Sequence, residues 1–280
     1  MLLKACLYCI TILTFFGIVN IVAGIDVAIY TEAHPWSQNL ADTEVTKLSD
    51  LIKAKVNIEL FGPDKIDDLA NWVKAHTNSQ KNILILLGIL PTTIYQPGNT
   101  QKDGSLVENY LDAGNTIINT GEYTFYSVEG KRELNESQAL QNIIDVPDAF
   151  VWQGRGDNWR PDPVVMKPTA DGNKYTPSLK EFGTSYPFHE EDYSKTAWNL
   201  EIALAENMEE DRRVDPGIIV NKETDGRLGI FLQAYVLDIP TPDVSWGTVM
   251  GEYILNYYLN QVASVQADDK LTTTWGKIKL

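Results

Sequence analysis

Ile83-Leu84-Ile85-Leu86-Leu87, closed by Gly88, is the most strand-like run in the chain. Both of its alternating faces are apolar, so both must be covered, which is the situation of a strand inside a parallel sheet. The neighbouring segments repeat the pattern. Upstream, Asp26-Val27-Ala28-Ile29-Tyr30 reads as a first buried strand. Thr43 to Lys55 follows as a helix with Val45, Leu48, Leu51 and Ile52 on one face. Val56 to Phe61 reads as a second strand, stopped by Gly62-Pro63, and Asp64 is placed to cap a helix carrying Ile66, Leu69, Trp72 and Val73. Downstream, Ser105 to Ala113 is a helix with Gly114 just past its end, and Thr116 to Asn119 is the next strand. Strands alternating with helices of this length predict an α/β fold: a three-layer sandwich around a mostly parallel central sheet.

From Gln153 to Tyr193 the periodicity stops. This stretch is rich in Pro, Gly, Asp and aromatic residues and reads as a long loop-rich insertion. Such loops are uncommon inside compact domains and are often functional, although one that merely covers a sheet edge fits equally well. A helix is expected near Ser194 to Asn207. Gly217 to Asn221 and Arg227 to Val236 then flank Asp225-Gly226, a good hairpin turn. A last helix is expected from Ser245 to Val262, followed by a polar tail over 266–280. The layout is a single domain over 25–265 with the insertion at 153–193, and no internal repeat.

The N-terminus reads differently. Lys4 is its only charge, Ala5 to Ile25 is almost wholly apolar, and Val22-Ala23-Gly24 offers small residues for cleavage. Residues 1–24 are therefore expected to be a signal peptide, with export to the periplasm or the extracellular space. The alternative is a retained membrane anchor, for which the run is just long enough; Thr11, Thr14, Gly17 and Asn20 weaken that alternative. Cys6 and Cys9 are the two cysteines, and both fall in this segment. The mature chain then has no disulfide, thiolate metal site or cysteine nucleophile. A formal charge of −15 repels phosphate backbones and argues against nucleic-acid binding. Contact with a membrane is expected only through an uncleaved N-terminus.

In an open parallel sheet, ligands bind at the carboxyl ends of the strands. That rule selects Glu32, His34 and Trp36 after the first strand and Gly88-Ile89-Leu90-Pro91 with Tyr95 after the third. It also selects Glu122, Tyr123 and Tyr126 after the fourth, and Tyr235 and Asp238 after the late hairpin. The order of these elements resembles the class I glutamine amidotransferase-like superfamily, which includes the ThuA-like proteins. The resemblance runs through Thr31-Glu32, the Ile83 to Gly88 strand, Gly114-Asn115 and Ile117 to Tyr126; it covers about 25–153 and 217–260. It implies a flavodoxin-like sheet and the position of a cleft. Active members carry a cysteine on the elbow after the third strand and a late histidine with a glutamate. This sequence has Gly88-Ile89-Leu90-Pro91 at the elbow, and its histidines are His34, His76 and His189. The resemblance thus implies a fold without the Cys–His pair, so glutamine hydrolysis by that chemistry is excluded.

What remains is two carboxylates, one imidazole and several rings. Glu32, His34 and Glu122 suit an acid–base pair or a divalent ion; the plainer reading makes Glu122 a cap on nearby amides and His34 a turn filler before Pro35. His76 is expected to be exposed and His189 to sit in a solvated acidic cluster with Glu190, Glu191 and Asp192. Trp36, Tyr95, Tyr123, Phe125, Tyr126, Trp152 and Trp159 suit stacking on sugar rings, an expectation that ThuA-like relatives share by analogy only, or packing beneath loops. Two functions stay open. One is a non-catalytic module binding a small polar ligand, such as a carbohydrate, or a protein partner. The other is a hydrolase using these carboxylates and the histidine, with or without a metal. No cofactor and no dedicated metal site are assigned.

Overall fold

The computed structural model describes residues 24–34, 37–79, 81–99, 104–128, 135–149, 151–152, 163–209, 211–233 and 244–262. Its first half runs β1 (Asp26–Ala33), α1 (Gln38–Ile52), β2 (Asn57–Phe61), α2 (Ile66–His76), β3 (Ile83–Leu87), β4 (Ile89–Leu90), α3 (Leu106–Asp112), β5 (Thr116–Gly121), β6 (Ser127–Val128) and α4 (Glu136–Ile143). The second half runs β7 (Val164–Pro168), α5 (Ala170–Tyr175), β8 (Phe182–Thr184), β9 (Phe188–His189), β10 (Trp198–Ala203), β11 (Ala205–Asn207), β12 (Arg213–Val214), β13 (Gly217–Asn221), β14 (Arg227–Gln233) and α6 (Trp246–Tyr253). A π-helical stretch, Ile254–Val262, prolongs α6.

Seven strands form the central sheet in the order β10-β13-β14-β5-β3-β1-β2. β2, β1, β3, β5 and β14 are mutually parallel, and β13 is antiparallel to both β14 and β10. This is a flavodoxin-like three-layer α/β fold. Alternation along the strands feeds two cores, as period-2 side chains require. Ala28, Tyr30, Leu84, Leu86 and Ile117 pack with Leu69, Trp72, Val73, Val107 and Tyr110 of α2 and α3. Val27, Ile29, Ile83, Ile85, Leu87 and Ile118 pack with Ala41, Val45, Leu48 and Ile52 of α1 and Trp246, Val249 and Met250 of α6. The β13–β14 hairpin turns at Lys222 to Gly226, with Asp225 at φ 65. Gly114 ends α3 at φ 86, and Ser105 closes a capping box with Glu108 at its start.

Four readings of the sequence are corrected. α1 starts at Gln38 behind Ser37, and Leu51 turns outward at 40% exposure while Val45, Leu48 and Ile52 stay buried. Asp64 caps nothing: α2 begins after Lys65, with no side-chain bond to its free amides. Ser194 to Asn207 contains no helix but β10 and β11, because pairing with β13 and with β7 and β12 overrides the helical preference of Ala203-Leu204-Ala205-Glu206. The stretch read as a structureless insertion is built from 163 onward. It supplies β7, α5, β8 and β9, which with β11 and β12 make a five-stranded sheet, β8-β7-β11-β12-β9. Residues 153–162 of that stretch lie outside the described residues, as do the expected signal peptide up to residue 23 and the polar tail. Among the described residues no helix is long and apolar enough to cross a membrane.

Candidate functional site

The carboxyl ends of β1, β3, β5 and β14 meet at one edge of the sheet, and β1 reaches it by an irregular path. Tyr30 pairs with Leu86, but the next pairing is Ala33 with Leu87, so Thr31 and Glu32 are surplus on the β1 side. Such a bulge re-aims the residues that follow. Here it swings residue 34 across the ends of the neighbouring strands, where the His34 amide donates to Leu87 O at 2.9 Å. Its carbonyl then rests on two glycines with left-handed backbones, Gly88 (φ 83) and Gly121 (φ 91). A Cβ on Gly88 would stand 2.0 Å from His34 O, and one on Gly121 2.5 Å from it. The space over Gly121 is thus filled by the chain's own backbone.

This geometry brings His34 and Glu122 together. His34 Nδ1 lies 3.1 Å from Glu122 Oε2, although out of line for a well-formed hydrogen bond. Glu122 is 3% exposed, and its Oε1 accepts the Tyr123 amide at 2.8 Å. The His34 side chain is 23% exposed with Nδ1 itself buried, so the accessible part of the ring faces away from the carboxylate. Glu32 is engaged on its own strand: Tyr30 Oη donates to Glu32 Oε2 at 2.5 Å.

Beneath the pair is a polar network absent from the sequence reading. Asn119 Nδ2 donates to Glu122 O at 2.9 Å and to Gln233 Oε1 at 2.7 Å. Thr124 Oγ1 donates to the same Gln233 oxygen at 2.8 Å, and Gln233 Nε2 donates to Tyr186 O at 2.6 Å. Asp215 completes it, fully buried, accepting the Leu232 amide at 2.7 Å and the Gln233 amide at 2.9 Å and touching Thr184 Oγ1. Burial pushes its carboxyl up to about 7, against the opposing pull of those three hydrogen bonds. A polar residue inside an apolar strand was the available signal: Asn119 interrupts Thr116 to Gly121, and Gln233 ends Arg227 to Gln233.

The aromatic candidates divide. Tyr123 is fully buried at the centre of a cluster, with ring centroids 5.4 Å from Tyr126, 5.8 Å from Trp152 and 5.6 Å from Tyr186. Burial holds its phenol well above the ordinary tyrosine value. Tyr126 and Trp152 are partly buried at the margin of this cluster. Phe125 is buried, at φ 66. Tyr95 belongs elsewhere: its hydroxyl donates to Asn99 O at 3.0 Å and lies 3.3 Å from Asn142 Nδ2 of α4. Burial raises its pKa, opposed by the Asn142 bond. It lines a pocket with Thr92, Thr93, Asn99 and Ser105. Trp36, Trp159, Tyr235 and Asp238 lie outside the described residues.

The other two histidines depart from expectation. His76 is not free on the surface: its ring stacks on Trp72 at 4.1 Å, and Nδ1 lies 2.7 Å from Trp72 O. Its Nε2 is 3.5 Å from Asp26, at the opposite, amino end of β1. His189 is not solvated but fully buried, because β9 pairs with β12 and sets it beside Arg213. His189, Glu191 and Asp211 offer donor atoms within 4.8 Å of one another, the spacing of a metal site. Yet Nδ1 is 2.5 Å from Asp211 Oδ2, Nε2 is 2.5 Å from Trp152 O, and Asp211 Oδ1 is 2.9 Å from Arg213 Nε. Both ring nitrogens are engaged with oxygens of the chain, and a guanidinium already neutralises the carboxylate. Glu32, His34 and Glu122 are not among such donor groups found in the described residues.

Fold and geometry together define a class: a flavodoxin-like α/β protein whose strand ends bring an imidazole and a carboxylate into contact. No family model matches the chain, and no curated protein matches it. Among solved structures it is similar to a putative ThuA-like protein from Bacteroides uniformis ATCC 8492. The identity is 9%, the TM-score 0.43, and the match covers 82% of this chain and 89% of that one. A likeness of that size carries no argument about function.

Proposed function

We propose that the chain is an exported glutamine amidotransferase-like domain without the Cys–His pair, and that it binds a small polar ligand at the carboxyl ends of β1, β3 and β5. The observation that carries this reading is the His34–Glu122 contact: a buried carboxylate behind a partly exposed imidazole at the edge where open α/β sheets take ligands. His34 is the group that meets the ligand, Glu122 stands behind it, and the partly buried Tyr126 supplies an aromatic face. Glu32, bonded to Tyr30, stands at the rim. A carbohydrate suits this combination, because its apolar ring face stacks on aromatics and its hydroxyls bond polar groups; a protein partner is the other occupant of this reading.

The same contact favours a second reading, hydrolysis. An imidazole paired through Nδ1 with a carboxylate can take a proton from water at its other nitrogen, and the carboxylate stabilises the imidazolium that results. A thermal-shift screen with sugars, amino acids and divalent metal salts tests both readings. A compound that binds the native state raises the melting temperature. The expected result is a shift in the wild type that His34→Ala abolishes; an equal shift in both proteins would move the site elsewhere. Turnover of the shift-positive compound then separates enzyme from binding module.

A further inference from the structure

The strand ends carry a second bulge besides the one that delivers His34. β14 pairs Phe231 with Thr120 and then Gln233 with Gly121, so Leu232 is surplus. Leu232 takes a left-handed backbone, φ 50, which a bulky residue keeps only where its surroundings hold it. The fully buried Asp215 does so, accepting the Leu232 amide at 2.7 Å on one carboxyl oxygen and the Gln233 amide at 2.9 Å on the other. Thr120 Oγ1 closes the bulge by donating to Phe231 O at 2.6 Å. Without the extra residue, position 232 would stand opposite Gly121. With it, the Gln233 side chain reaches both the end of β5 and Tyr186, which lies between β8 and β9 of the second sheet. The bonds around it fix every amide orientation. Glu122 O and Tyr186 O are carbonyls and only accept, so Asn119 and Gln233 must turn their nitrogens to them. Gln233 Oε1 is then the shared acceptor of Asn119 Nδ2 at 2.7 Å and Thr124 Oγ1 at 2.8 Å. Flipping either amide would set donor against donor or acceptor against acceptor. Asn119, Thr124, Tyr186 and Gln233 are all buried.

We propose that Gln233 is the positioning residue of the crevice: with Asn119 it forms a strut of two side-chain amides from Tyr186 O to Glu122 O, which sets residue 122 against His34 and makes that contact depend on the second sheet. The strut grips the Glu122 main chain, and the Glu122 carboxylate is tied to the same turn through the Tyr123 amide. Moving the carbonyl of residue 122 therefore moves the carboxylate that His34 faces at 3.1 Å. The importance of this contact to a ligand rests on the reading above; the strut and its hold on Glu122 do not.

Magnetic resonance of the histidine rings in the ligand-free protein, at one fixed pH, tests the strut. Glu122→Gln defines the direction in which the His34 ring signals move when its partner is altered. Gln233→Met keeps the side chain's length and removes its hydrogen bonds, and should move the His34 signals in that direction. The signals of His76, at the opposite end of β1, should stay in place. Loss of stability alone would lower the urea midpoint and leave the His34 signals of the folded protein where they are in wild type; that result overturns the proposal. Thr124→Val leaves the strut whole and should leave His34 in place, and a movement there equal to that in Gln233→Met would also overturn it. Should Gln233→Met fail to fold, the native protein still decides: the side-chain amide protons of Asn119 and Gln233 should exchange slowly with solvent, and fast exchange would overturn the strut. All these measurements are made without ligand, so a negative ligand screen leaves them standing. An unmoved His34 in Gln233→Met would leave any ligand shift of the wild type untouched, so the two readings fail separately.

Discussion

Gly88→Ala puts the closing of the elbow to a quantitative test. At φ 83 an alanine meets the left-handed penalty of about 1–2 kcal/mol. Its Cβ would also stand 2.0 Å from His34 O and 2.8 Å from the Glu122 nitrogen. A carbon and a carbonyl oxygen approach to about 3.3 Å at best, so more than an ångström must open between residue 34 and the end of β3. That movement pulls on the bond from the His34 amide to Leu87 O, worth about 1 kcal/mol, and on the His34–Glu122 contact. These two components alone sum to a loss of about 2–3 kcal/mol, before any cost of parting His34 from Glu122. Gly98 is the internal control, with φ 77 and nothing within 4 Å of its added Cβ. Gly98→Ala should lose only the backbone component of about 1–2 kcal/mol. Urea melts of both variants measure the difference as a change in midpoint at unchanged slope. Equal losses would refute the idea that His34 O fills the elbow. The steric argument extends to function: the same oxygen excludes a cysteine side chain at position 88, so the elbow is closed by the β1–α1 connection as well as lacking a nucleophile.

Glu122→Gln should lose roughly 1–3 kcal/mol in a urea melt, because a buried carboxylate bonded to the Tyr123 amide and set against His34 is replaced by a neutral amide; an unchanged midpoint would return Glu122 to a purely ligand-facing role. For Asp215, folded and unfolded states are both protonated below the ordinary value of 3.8, and the folded state alone keeps the proton up to about 7. Its contribution to stability therefore declines between about pH 4 and 7, by on the order of a few kcal/mol, and wild type minus Asp215→Asn should trace that decline; a flat difference would refute the raised value. Leu90→Cys, in a fully buried position of β4, should cost about 2–4 kcal/mol and release no ammonia from glutamine; measurable glutaminase activity would mean that catalytic partners exist elsewhere. The full chain expressed in a bacterium should appear outside the cytoplasm, shortened by about two dozen residues as signal peptides are, and mass spectrometry of a full-length cytosolic product would oppose export.

The parallel part of the central sheet was legible because its strands state their burial in composition, whereas its edge strand β10 was read as a helix. Ile83 to Leu87 and Ile117-Ile118 can only be covered on both faces, and Ser105 with Glu108 and Gly114 mark both ends of α3. The second sheet was not, because β9 and β12 have two residues each and β8 and β11 three. Strands that short carry no period, and they exist only through partners distant in sequence. His189 shows the same limit in one residue. Beside Glu190, Glu191 and Asp192 it looks solvated, and its pairing opposite Arg213 buries it.

The neighbourhood of His34 and Glu122 was legible from the strand ends, and the contact between them was not. The strand-end rule selected Glu32, His34 and Glu122 together, since each follows the end of a parallel strand. Which carboxylate meets the imidazole depends on the two surplus residues between Tyr30 and Ala33, a feature that exists only in the pairing of β1 with β3. Without that bulge, the alternation along β1 would continue past Leu87 and the chain would leave the sheet sooner. With it, Glu32 remains on its own strand within reach of Tyr30, and residue 34 is laid across Gly88 and Gly121 with its ring against Glu122. The two glycines are thus part of the same device: they accept the His34 carbonyl, and in doing so they bring the imidazole to the carboxylate. A chain with side chains at 88 and 121 would push the His34 carbonyl away and part His34 from Glu122 in a single step.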